Sequence, residues 1–333
     1  MSSNLKYAVF GSGSWATAIV KMLCENLDEV GWYIRKQQTI DYILSENHNP
    51  SYLSSVELYT KKIKLDSDIN ALADYADILI FAIPSAFIGT ELLKLNRDIS
   101  SKVIVSAVKG IIPESGLLVG DYFHKKHLTE LANIAVLAGP CHAEEVALER
   151  LSYLTIACRN LSTAEEIARQ FSSHYIRTKT HDDISGAEYA AMVKNIYAIA
   201  AGIAHGLGYG DNFQSVLMSN ATREMKRFIK SVHKMKRNIN ETVYLGDLLV
   251  TGYSVFSRNR MFGNMIGKGY TVKSAQMEMN MIAEGFYATK SAFLIQQKSQ
   301  KLSKAPIINT VYEILYLNEN PKESFKKLTN KLS

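Results

Sequence analysis

Cysteine is scarce in this chain of 333 residues: it occurs only as Cys24, Cys141 and Cys158. An odd number, with neither a CxxC spacing nor a Cys/His ligand pattern, argues against a disulfide framework or a zinc site and fits a reducing compartment. Long apolar runs are missing as well, since no stretch approaches the roughly 18 residues of a membrane-spanning helix. The start, Met1-Ser2-Ser3-Asn4-Leu5-Lys6, has no charged region followed by an apolar one, as a secretory signal would. A soluble, cytoplasmic protein is therefore expected. The net charge of +6 is spread without a polybasic run, which gives little support to nucleic-acid binding and leaves an anionic ligand open. No repeat or low-complexity segment occurs, and no Asp/His cluster suggests a metal.

What is present is an ordinary globular composition, 47% hydrophobic and 21% charged, at a length that predicts two cores, because single cores stop growing at roughly 250 to 300 residues. From Lys6 to about Thr180, short β-branched or apolar runs alternate with helix-length segments. The runs begin at Tyr7-Ala8-Val9-Phe10 and continue at Val30 to Ile34, Ile78 to Ala82, Val103 to Ser106 and Ile134 to Ala138. That alternation predicts an α/β domain built on a Rossmann-like, doubly wound parallel sheet. The near-continuous apolarity of Ile78 to Ala82 fits a sheet covered on both faces. Past Gly186 the chain reads as helical, with Ala190-Ala191, Ala198 and Ala200-Ala201-Gly202 allowing close helix approach. Two domains are expected, 1–185 for dinucleotide binding and an all-helical 186–333 for substrate binding and catalysis, with Lys230 to Glu241 as a solvated connection.

The first apolar run leads into Gly11-Ser12-Gly13-Ser14-Trp15-Ala16 and then a helical stretch. In this context G-x-G-x-x-A is a dinucleotide fingerprint: Gly11 permits the turn, Gly13 lets the backbone approach a pyrophosphate, Ala16 keeps helix and strand close, and the helix N-terminus supplies amide donors. Gly11, Gly13, Ser14, Trp15 and Ala16 are the candidate cofactor contacts. A nicotinamide enzyme specific for NAD often carries Asp or Glu at the end of the second strand. Here Arg35-Lys36 stand there with no carboxylate between Val30 and Ile40, which favours a 2′-phosphate. Two solvated surface bases are the plain alternative.

Four further clusters follow: Val105-Ser106-Ala107-Val108-Lys109-Gly110-Ile111, Gly139-Pro140-Cys141-His142-Ala143-Glu144-Glu145, Lys194-Asn195, and Gly246-Asp247 with Ser257-Arg258-Asn259-Arg260. With Gly206-Leu207-Gly208-Tyr209-Gly210-Asp211-Asn212 and Ala283-Glu284-Gly285, in this order after the glycine loop, they resemble NAD(P)-dependent glycerol-3-phosphate dehydrogenase of the bacterial type over roughly residues 6 to 290. The resemblance implies reversible hydride transfer that reduces dihydroxyacetone phosphate to sn-glycerol 3-phosphate for glycerophospholipid synthesis. NADPH would be the donor, with NADH as the second choice, and the protein a homodimer.

The resemblance also implies roles. Lys194 shares a helix face with Ala187, Ala191, Asn195 and Ala198. By itself it reads as a snorkelling side chain, but the family makes it the proton acceptor, and desolvation suits an ammonium to that exchange. Lys109 would touch cofactor and substrate, at the carboxyl end of a strand where doubly wound folds bind ligands. Asp247 would touch the substrate and, with Lys109, assist the chemistry. Gly139, Cys141, Ser257, Arg258 and Asn259 would also meet the substrate, and Ala143, Arg258, Ile282 and Glu284 the cofactor. Two guanidinium groups in Ser257 to Arg260 suit a phosphate, although a solvated basic turn has the same composition. The chain departs from the family at Cys141, where Ser or Thr is usual and a thiol is the weaker donor, and at Thr251 to Phe256, which is bulkier and less polar than usual. Three rivals remain: a related hydroxyacid dehydrogenase with a carboxylate substrate, a non-catalytic NADPH sensor, and a methyltransferase with a similar glycine loop.

Overall fold

The computed structural model describes residues 5–279, 283–300 and 304–333. The strands are β1 (Tyr7–Phe10), β2 (Val30–Tyr33), β3 (Ile63–Asp66), β4 (Ile78–Phe81), β5 (Val103–Ser106), the two-residue β6 (Ile111–Ile112) and β7 (Leu117–Leu118), β8 (Ile134–Ala138), β9 (Ser152–Cys158) and β10 (Ile176–His181). Helices α1 (Ser14–Cys24), α2 (Gln37–Glu46), α3 (Ile69–Tyr75), α4 (Ser85–Leu92), α5 (Val119–His127), α6 (Ala143–Ala147) and α7 (Leu161–Phe171) are interspersed among them. Then come α8 (Ile184–Gly206), α9 (Asp211–Val232), α10 (Asp247–Tyr253), α11 (Arg258–Gly267), α12 (Val272–Glu278), α13 (Glu284–Lys298), α14 (Pro306–Tyr316) and α15 (Pro321–Thr329). Two units emerge: residues 1–108 with 117–184, and 109–116 with 185–333.

In the first unit eight strands form one sheet in the order β10-β9-β8-β5-β4-β1-β2-β3. Tyr7 of β1 lies opposite Val30 on one side and Ile78 on the other, both in parallel register. The chain steps outward from β1 through β2 and β3, then returns to β4 on the opposite flank. The topological switch point, where open α/β sheets bind ligands, therefore lies at the carboxyl ends of β1 and β4. All four residues of β1, β2 and β4 are buried, as expected of parallel strands with helices on both faces.

The apolar runs of the sequence coincide with β1, β2, β4, β5 and β8. Three more strands complete the sheet. β3 (IKLD) and β10 (IRTKTH) are its two edges, where charged side chains blunt unwanted pairing at the cost of an apolar signature. β9 runs antiparallel to β8, because the connection between them contains only the five-residue α6, too short a helix to return the chain along the sheet.

In the second unit every regular element from Ser185 onward among the described residues is helical. α8 is its axis: from Ala190 to Ala204 every residue is buried. α9 continues through Val232, so the polar stretch beginning at Lys230 starts as helix rather than as connection. None of the described helices is long and apolar enough to cross a membrane.

α14 is anchored by a buried carboxylate. Glu224 of α9 is 1% exposed and accepts from the Ile307 and Ile308 amides, both at 2.9 Å, at the turn where a helix has donors to spare. Burial raises its pKa, more than those two bonds and the Arg227 charge lower it, to about 7. A folded-state value above the unfolded one means that the unfolded chain gives up its proton first as pH rises. This group's stabilising contribution is therefore complete below about pH 4.5 and declines towards pH 7. Over that window the loss amounts to about 3 kcal/mol at 1.36 kcal/mol per unit. Urea midpoints measured from pH 5 to pH 8 should fall in the parent relative to those of Glu224→Gln, whose side chain does not titrate, and the relative fall should level off above about pH 7. A constant difference would refute the assignment.

Candidate functional site: a glycine loop and a buried lysine–carboxylate pair

The glycine loop begins where β1 ends, at the switch point. Gly11 has φ +131°, and a Cβ there would lie 2.7 Å from the Ala82 carbonyl oxygen just past β4, so only glycine fits this close passage. Its amide donates to Tyr33 O at 3.3 Å, and its carbonyl accepts from Trp32 Nε1 at 2.7 Å. Gly13 is the opposite case, because a Cβ there would meet nothing within 4 Å. The space over Gly13 and the N-terminus of α1 is what a pyrophosphate approaching the backbone requires. Ala16 is fully buried, in keeping with close packing of helix and strand; Ser14 is buried and Trp15 half-buried. The chain's own residues thus fit a dinucleotide.

Asn49, which the sequence reading passed over, fixes this loop. It is 1% exposed, and its amide nitrogen donates to Ser12 O (3.1 Å) and Thr17 Oγ1 (2.9 Å), while its oxygen accepts from the Ser51 and Tyr52 amides. The segment between α2 and β3 gives no local sign of that role.

Arg35 and Lys36 follow β2 and are exposed. The stretch from Val30 to Ile40 contains no carboxylate, but the fold delivers one from α4: Glu91 Oε1 lies 3.4 Å from Arg35 Nη1. At the end of β8, Gly139 and Ala143 are buried, and the Cys141 thiol donates to Tyr153 O at 3.1 Å.

In the second unit Lys194 and Asp247 meet. Each side chain is 3% exposed, and Lys194 Nζ donates to Asp247 Oδ1. A charge buried in this way needs a partner, so the fold replaces the solvated ammonium of a snorkelling lysine with an ion pair. Asp247 opens α10 directly after a π-helical turn, Thr242–Gly246, an irregularity that recurs at functional sites. Asn195, beside Lys194, accepts at Oδ1 from Asn259 Nδ2 (2.9 Å), and Asn259 Oδ1 accepts from the Gly285 amide (2.8 Å). One polar bridge therefore connects α8, α11 and the start of α13, where Glu284 stands half-buried. The Asn195 Nδ2 atom is buried and has no hydrogen-bond partner among the described residues, which leaves a donor available to a ligand oxygen. The sequence reading noted Asn195 without giving it a role.

Ser257 caps α11, its hydroxyl accepting from the Arg260 amide at 3.3 Å. Arg258 and Asn259 therefore occupy a helix N-terminus, which favours an anion. Lys109 is half-buried and groups with the second unit. Ile282 lies outside the described residues. In the divergent stretch Thr251 to Phe256, Gly252 packs on Met218, and Tyr253, Val255 and Phe256 are exposed.

A mostly parallel sheet with a G-x-G-x-x-A turn at its switch point, followed by a helical unit holding a buried lysine–carboxylate pair, defines the class of two-unit, Rossmann-type nicotinamide dehydrogenases. Within that class, the chain belongs to the NAD-dependent glycerol-3-phosphate dehydrogenase family: the model of the family's N-terminus matches residues 6–164 and that of its C-terminus matches residues 183–326. A relative from Bacillus subtilis (strain 168), a glycerol-3-phosphate dehydrogenase [NAD(P)+], is 34% identical over 97% of this chain and 93% of its own. The crystal structure of glycerol-3-phosphate dehydrogenase from Coxiella burnetii superposes with a TM-score of 0.88 at 25% identity, covering 98% of both chains. A D-mandelate dehydrogenase bound to NADH and anilino(oxo)acetate shares the fold alone, with a TM-score of 0.60 at 15% identity over 96% of this chain and 99% of its own.

Proposed function

We propose that the chain reduces dihydroxyacetone phosphate to sn-glycerol 3-phosphate, reversibly, as a cytoplasmic homodimer that supplies glycerophospholipid synthesis. NADPH is the preferred donor and NADH the second. The observation that carries this reading is the Lys194–Asp247 pair, buried in a chain that belongs to this family. A bound nicotinamide supplies the hydride. Lys194 gives its Nζ proton to the carbonyl oxygen as that oxygen gains charge, and takes it back from the hydroxyl in the reverse direction. Asp247 orients the ammonium and balances its charge. Asn195 Nδ2 offers the same oxygen a second donor.

Arg258 and the N-terminus of α11 hold the substrate phosphate, and the binding energy of that remote group orients the reacting carbon. Lys109, Gly139, Cys141, Ser257 and Asn259 complete the substrate contacts. The Gly11 to Ala16 loop, Arg35, Lys36, Lys109, Ala143, Arg258, Ile282 and Glu284 hold the cofactor. Residues 1–185 thus serve as the dinucleotide domain and 186–333 as the substrate domain.

The test is oxidation of NADPH and of NADH, followed separately with dihydroxyacetone phosphate. The expected result is turnover with both and a higher kcat/KM for NADPH. Preference for NADH would refute the role of Arg35 and Lys36. Oxidation of β-hydroxy acids with indifference to glycerol 3-phosphate would favour a carboxylate-directed relative, and binding without turnover would favour a sensor.

A further inference from the structure

Glu91 has a set of partners that the activity above leaves unexplained. Its side chain is 7% exposed at the start of a three-donor cluster: Tyr33 Oη donates to Oε2 at 2.9 Å, Lys94 Nζ donates to both oxygens at 2.9 and 3.0 Å, and Arg35 Nη1 approaches Oε1 at 3.4 Å. These groups come from β2 and α4 or from the residues just past them, which follow or belong to the two strands that flank β1 at the switch point. Burial pushes the Glu91 carboxyl up, but the Lys94 and Tyr33 hydrogen bonds and the Lys94 and Arg35 charges outweigh it and hold it below the usual carboxylate range. It is therefore an anion at neutral pH.

The three donors are not bound alike. Lys94 is doubly and closely engaged, whereas Arg35 is at the long end of contact and 62% exposed. Arg35 can therefore turn away without leaving Glu91 uncompensated. We propose that Glu91 sets the ratio of NADPH to NADH affinity by competing with the 2′-phosphate for the Arg35 guanidinium. The proposal rests on the reading of Gly11 to Ala16 as a dinucleotide loop. A 2′-phosphate must draw Arg35 from an existing anion and must itself sit near that anion, and both effects weaken NADPH binding. A ribose 2′-hydroxyl meets neither obstacle. The fold thus holds in reserve an affinity for NADPH that the bases of Arg35-Lys36 alone would express, and so keeps NADH usable.

The experiment is titration of the full-length protein with NADPH and with NADH, read by calorimetry, for the parent, Glu91→Gln and Lys94→Ala. Glutamine keeps the shape and one acceptor oxygen, which can face Tyr33, and removes the charge. Glu91→Gln should tighten NADPH about five- to tenfold, the scale of one partly screened charge at this range, with NADH within about twofold. Lys94→Ala removes the competing cation, so Arg35 is held harder, and NADPH should weaken by about threefold relative to NADH. An unchanged or lowered NADPH preference in Glu91→Gln overturns the proposal. If that variant binds neither dinucleotide because it fails to fold, the half-exposed Lys94 decides: an unchanged ratio in Lys94→Ala overturns it equally. A parent that binds neither dinucleotide instead overturns the dinucleotide reading itself.

Discussion

Lys194→Ala should lower kcat by about a thousandfold or more, within the range that a positioned general acid–base contributes, while NADPH binds nearly as before. The structure adds a second consequence. Asp247 is 3% exposed and pairs with this lysine, so the variant strips a buried carboxylate of its cation and should also lose about 3–5 kcal/mol of stability. Loss of rate could then be blamed on loss of fold, and the double variant Lys194→Met/Asp247→Leu separates the two. It replaces the pair with apolar groups of similar size, which is often neutral for stability, so its denaturant midpoint should return towards the parent's while turnover stays absent. Steady-state rates, an NADPH titration and urea unfolding on the same preparations are the measurements. Residual activity within tenfold of the parent in the double variant would remove Lys194 from the chemistry.

That pair also marks where the sequence stops being legible. Lys194 and Asp247 are 53 residues apart, and nothing local to either says that they meet; the sequence suggests only that Lys194 sits on an apolar helix. Arg35 and Glu91 stand in the same relation at a separation of 56 residues. Here local reading finds the cations at the end of β2 but not the carboxylate that the helix after β4 brings to them. The glycine loop is legible because its requirements are local: Gly11 is demanded by its own φ and by the strand beside it, and Gly13 by open space. Strands buried on both faces, such as Ile78–Phe81, announce themselves through continuous apolarity. The edges β3 and β10 do not, because half of what an edge strand meets is water and its composition follows suit.

Gly263→Ala should be among the most damaging single methyls in the second unit. A Cβ at Gly263 would lie 2.1 Å from Ile199 O and 2.9 Å from Ile203 N, and one at Gly202 would lie 2.0 Å from Arg260 O. The contacted atoms are backbone on both sides, so no side chain can rotate aside, and α8 and α11 would have to move apart along their crossing. Overpacking a core costs about 1–3 kcal/mol when side chains can give; with rigid helix backbone opposed, a loss above about 4 kcal/mol is expected. Gly210→Ala is the control. Its Cβ would meet nothing within 4 Å, and at this helix N-cap the change should cost under about 1 kcal/mol. The crossing also sets the site, because α11 carries Ser257, Arg258 and Asn259, and Asn259 donates to Asn195 next to Lys194. Any Gly263→Ala protein that does fold should therefore show a raised KM for the phosphorylated substrate. Urea unfolding and steady-state kinetics of Gly263→Ala and Gly210→Ala, run side by side, test both halves. Equal midpoints would show that the two helices are not held at the contact distance on which this placement of Lys194 and Asn259 depends.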